Sequence, residues 1–152
     1  MPQILISISV WLHILATVVF IGHYLLLATI YLPILSKNGT ALSEISKRSR
    51  SWMYASLIIF MVTGIYLMFV DPNYLGIGNF NNFWAVMMLL KHLIIVVMIA
   101  LGFWYNAILR VGPLMNSNTG AEQAIVRFRK HINTMAVCGA LVLLLTALAQ
   151  VE

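Results

Sequence analysis

Four long blocks of apolar residues, at about residues 4–35, 52–70, 83–109 and 132–151, take up most of the chain. An α-helix needs about 20 apolar residues to cross the hydrocarbon core of a bilayer, and each block is about that long or longer. The blocks are continuous, whereas strands of a membrane barrel alternate in short segments. In lipid, backbone polar groups must be satisfied inside their own helix or in a closed barrel. The expected fold is therefore all-α, an integral membrane four-helix bundle. Composition agrees: 62% of the 152 residues are hydrophobic and 9% charged, against roughly a quarter charged in a soluble domain. The connections are too short to fold separately, so residues 1–152 read as one four-span transmembrane domain.

The net charge of +5 invites a nucleic-acid reading, but the charges sit at the ends of the spans. Lys37, Lys47, Arg48 and Arg50 fall in the first connection, and Arg110, Arg127, Arg129 and Lys130 flank the third. The second connection, residues 71–82, has neither Lys nor Arg. This is the positive-inside pattern. It predicts the first and third connections in the cytoplasm and both termini outside, with the lipid bilayer and its anionic headgroups, not nucleic acid, as the charge partner. The first block lacks the basic start, the short apolar core and the cleavage site of a signal peptide, so it is expected to be retained. The single cysteine, Cys138, excludes a disulfide framework within the chain and reads as a packing residue. SKNGT, DPNY and VGP mark the breaks. Residues 41–50 read as a helical lead-in to the second span, and residues 123–131 as the cytoplasmic end of a long fourth helix.

All four histidines, His13, His23, His92 and His131, lie in or beside the spans. Ionisable groups in a bilayer are costly and usually face the bundle interior. Each could simply bond a neighbouring helix, and His131, beside Lys130 at the boundary, suits a cap. Acids are almost absent from the spans, so a carboxylate-based proton relay is not available. Clustered neutral imidazoles suit a metal: haem iron, copper or zinc. At 1.5 Å per residue, His13 and His92 both fall in the outer half of their spans and are the first choice as axial pair of one haem. His23 lies about 15 Å deeper and roughly 80° around the helix. It pairs with His92 as second choice, and with His131 only by straining the depths. Lys91 points about 100° away from His92. It reaches the outer interface or bonds a carbonyl, or else it balances a buried anion such as a haem propionate or carries a proton. The methionines read as filler, and an outer loop without Met or His counts against copper transport.

Two stretches carry a family resemblance. WLHILATVVFIGH resembles the first helix of the CopD-type copper-resistance domain, at His13, Phe20, Gly22 and His23. LLKHLIIVVMIALGFWYN resembles that family's lysine helix, at Lys91, Leu101, Gly102 and Asn106. The related HemJ-type haem-binding protoporphyrinogen oxidases share His13 and Lys91. Phe20 stands where tryptophan is usual and His23 where a second glycine is usual. His92 is an addition, and Phe103 and Tyr105 occupy the region of a late histidine. The resemblance implies the same four-helix fold and a copper- or haem-linked activity.

Together these readings give an expected function: a b-type haem protein of a prokaryotic plasma membrane, an oxidoreductase passing electrons between quinone, or a small oxidant, and a redox partner protein. Its cofactor-binding set is His13, His92, His23, Lys91 and His131. The alternatives are a copper-handling membrane protein, a non-catalytic accessory subunit of a larger complex or homo-oligomer, and the porphyrinogen oxidase itself.

Overall fold

The structure, a computed structural model, describes residues 2–35, 39–74, 76, 82–104 and 121–150. Among them it is helical and holds no strand. Four helical stretches are long and apolar enough to cross a membrane. The first is α1 (Pro2–Leu26), continued by a π-helical turn (Leu27–Tyr31) and a short α2 (Leu32–Leu35). Then come α3 (Gly39–Val70), α4 (Phe83–Phe103) and α5 (Ala121–Leu148).

Polar residues inside these helices are made tolerable locally. Thr17 Oγ1 donates to the His13 carbonyl at 2.7 Å, Ser56 Oγ to Met53 at 2.9 Å, and Thr146 Oγ1 to Val142 at 2.8 Å. Each hydroxyl thus returns to its own helix, so none faces lipid unsatisfied. The π turn comes just before Pro33. Proline lacks an N–H and its ring crowds the carbonyl four residues back, and a wider turn relieves that crowding. The Leu32 N–H bonds the Leu27 carbonyl instead, and Thr29 Oγ1 donates to Leu25 at 2.7 Å.

At the other end, α4 starts on an N-cap: Asn82 Oδ1 accepts from the Ala85 N–H at 2.8 Å. Asn82 Nδ2 donates to the Asn73 carbonyl at 3.0 Å, which ties the α4 start to the turn after α3. In that turn the Asp71 carboxylate accepts from the Asn73 N–H at 2.9 Å.

The lead-in at residues 41–50 is continuous with the second span inside α3, and α5 begins well before its apolar block. Both helices therefore run past the blocks at the end bearing Lys47, Arg48, Arg50, Arg127, Arg129 and Lys130, called here the basic end. Lys37, Arg110, Tyr105, Asn106, most of the 75–81 loop and the VGP break lie outside the described residues, as does the expected continuation of the third span to residue 109.

α1 packs along α3 and also against α5, while α4 packs on α5. The core holds Phe20, Ile21, Tyr24, Phe60, Met98, Phe128 and Met135. The outward faces are apolar, with Val18, Ile58, Val96 and Val137 all more than half exposed. An apolar coat of this extent requires a non-aqueous surrounding. At the α1–α5 crossing Gly139 sits against Ile21: a Cβ placed there would lie 2.8 Å from Ile21 Cγ2. Small residues permit such close approach between membrane helices.

Candidate functional site

The histidines form two groups at different levels. In the first, α3 builds a cradle for His13 from residues one turn apart on one face. The imidazole lies nearly flat on Phe60, with centroids 4.7 Å apart and planes at 18°. Its Nδ1 is 2.9 Å from Thr63 Oγ1. The Thr63 hydroxyl donates to the Ile59 carbonyl at 2.6 Å, so its oxygen can accept from the ring N–H, the tautomer that would leave Nε2 as the acceptor. Gly64 leaves the space the ring needs, since a Cβ there would come 3.1 Å from His13 Cε1.

His92 on α4 is held in the same tautomer by a different device. Its Nδ1–H donates to the Met88 carbonyl at 2.6 Å, one turn back, again leaving Nε2 as the acceptor. A ring whose Nδ1–H is fixed by a second partner is the usual form of an imidazole metal ligand. Lys91 and His92 both lie within electrostatic reach of His13, and Asp71 within reach of Lys91. The four ionisable groups therefore occupy one region between α1, α3 and α4.

The Thr63 hydroxyl orients His13 without touching a ligand. Thr63→Val keeps the shape and removes that anchor.

Sequence reasoning passed over one feature near this group. Met68, Met87 and Met88 come together around Trp84 and Ala85, where the ends of α3, α4 and α5 meet. Met68 stands on the other side of a loop from the adjacent Met87 and Met88, and only the fold brings it to the same cluster. Met88 lies one turn before His92 on the same helix. The signal available in the sequence was the Met87–Met88 pair four to five residues ahead of His92.

The second group lies toward the basic end. His23, Tyr24 and Leu27 of the first span, Ser46, Arg50 and Tyr54 of α3, and Phe128 and His131 of α5 line a cavity of about 40 Å³. Ser49 Oγ lies 3.3 Å from His23 Nε2. His131 is buried and meets Tyr24 edge-on at 6.5 Å. Depth alone ranks the His23–His131 pairing last, because it puts His131 at the headgroups. In the structure α5 starts at residue 121, so His131 lies roughly 15 Å along the helix and faces the same cavity as His23. His23 thus keeps company with His131, and His13 with His92 and Lys91.

Between the groups runs a file of aromatic rings. Phe60 lies 6.3 Å from Phe20, Phe20 5.5 Å from Tyr24, and Tyr24 5.8 Å from His23. Phe20, Tyr24 and Phe60 are all buried, so they occupy the interior where a flat macrocycle would have to slide between helices. A haem gripped between the His13 and His23 levels would have to displace these rings. Among the described residues no three His, Cys, Asp or Glu side chains converge as a metal cage. The first group therefore offers two imidazoles, with thioethers near by.

Four apolar helices around a polar interior of imidazoles and one lysine define a multi-pass membrane protein. The sequence profile of copper resistance protein D, CopD, matches residues 43–149. That match spans most of the chain, and the protein belongs to the CopD family. No curated protein and no solved structure gives a significant match.

Proposed function

We propose that the protein handles copper within the bilayer, binding Cu(I) through the Nε2 atoms of His13 and His92. The observation that carries this reading is the matched anchoring of the two rings, each held at Nδ1 by a hydrogen-bond partner. Thr63 and the Met88 carbonyl each engage an Nδ1 proton, so both imidazoles offer a lone pair in the same region. Imidazole and thioether suit copper, and thioethers select the soft Cu(I) state. The Met68, Met87 and Met88 grouping supplies a soft approach where the outer loop has neither Met nor His. That grouping and the membership in a copper-resistance family both favour copper as cargo over haem b as resident cofactor.

Lys91 sets the electrostatics of the site. A half-buried ammonium close to a cation site opposes its filling, so copper is held loosely enough to be released. Low affinity suits a protein that passes an ion on. With the positive-inside orientation, His13 and His92 lie toward the outer face of a plasma membrane and the basic end lies toward the cytoplasm.

The test is metal binding by the purified protein in a mild detergent. One Cu(I) per chain, competed by a chromogenic chelator and accompanied by no haem absorbance, is the expected result. Copper-free protein after incubation with excess Cu(I), or a visible haem spectrum at one equivalent, would remove the proposal.

A further inference from the structure

The cavity at the basic end has a lining that the copper reading does not use. Its polar rim consists of hydrogen-bond donors: the Arg50 guanidinium, the Ser46 and Tyr54 hydroxyls, and the imidazoles of His23 and His131. An imidazole presents an N–H in either charge state. Among the described residues no Asp or Glu lines the cavity. On a scale where one water takes about 10–15 Å³, the cavity holds about three waters, the room needed by one small tetrahedral oxyanion.

Position adds to chemistry. Arg50 is exposed at the mouth, whereas His131 is buried. Lys47 and Arg48 of α3 and Arg127, Arg129 and Lys130 of α5 are exposed at the same end, against Glu44 and Glu122 as the acids there.

We infer that this cavity binds the phosphate group of an anionic ligand, with Arg50 pairing to it at the mouth and Ser46, Tyr54, His23 and His131 completing the cage from α1, α3 and α5. Guanidinium pairs bidentately with phosphate oxygens, and basic pockets between membrane helices are where anionic headgroups settle. A bound phosphate would clamp three helices at one end. The site is independent of the copper reading, since it shares no residue with the His13–His92 group.

The test uses lipid-stripped protein in a neutral detergent, with phosphatidylglycerol in one arm and inorganic phosphate in the other, read by unfolding temperature and native mass spectrometry. Stabilisation that saturates at one phosphatidylglycerol per chain, with no response to inorganic phosphate, identifies a lipid headgroup. A response to inorganic phosphate identifies a free oxyanion. Arg50→Gln is expected to weaken binding about tenfold or more, the scale of one charge-assisted hydrogen bond. Arg129→Gln removes the same charge outside the cavity and is expected to leave binding near wild type, as is His92→Leu. Should Arg50→Gln fail to fold, Ser46→Ala carries the test with a smaller, several-fold loss. The proposal is overturned if neither probe stabilises the protein, or if Arg50→Gln and Arg129→Gln weaken binding equally.

Discussion

His92→Leu is expected to weaken Cu(I) binding by about a hundredfold or more, because the loss of a ligand exceeds the 10- to 100-fold typical of losing a residue that merely orients one. His13→Leu should do the same. If both rings grip one ion, the double variant is scarcely worse than either single variant, since the second loss removes nothing that still functions. Two independent sites would instead give additive losses in the double variant. His131→Leu serves as control and should leave Cu(I) affinity near wild type. The readout is the chelator competition curve, with the unfolding temperature measured alongside. Unchanged copper affinity in the His13→Leu/His92→Leu protein would refute the assignment of these rings.

The largest stability effect is expected at Gly139. A methyl group there meets Ile21 Cγ2 at 2.8 Å, with Ile21 Cβ and Cγ1 at 3.6 Å. Ile21 is buried, and a β-branched side chain on a helix is nearly confined to one χ1 rotamer. It cannot swing aside, so α1 and α5 must separate. Gly139→Ala should cost about 1–3 kcal/mol and Gly139→Leu more, measured by thermal unfolding in detergent. The companion change Ile21→Ala opens the space, so the Gly139→Ala penalty should shrink in the Ile21→Ala background. Wild-type stability in Gly139→Ala would mean that the crossing is looser than the structure has it.

The two readings of the chain differ in what each residue needs to know about its neighbours. His13 and His92 were picked out as a pair from depth alone, counted along separate spans, and the structure puts them within electrostatic reach of each other. The same counting ranked the His23–His131 pairing last, because it put His131 near the headgroups. In the structure eleven residues of α5 precede the apolar block, and the helix turns the buried His131 toward the cavity that His23 lines. The methionines show a different blind spot. Met68 and Met87 stand on either side of a loop, and nothing in their spacing says that both join the cluster around Trp84 and Ala149.

Transfer of a side chain into lipid is additive and needs no partner, so the four apolar blocks and the distribution of nine Lys and Arg were enough to define the spans and the all-α class. The tautomers of His13 and His92, the Ile21–Gly139 crossing, the thioether grouping and the cavity between His23 and His131 depend on how each helix is rotated against the next. That rotation is decided by interdigitation of side chains from distant parts of the chain, and the helix periodicity of a single span does not contain it.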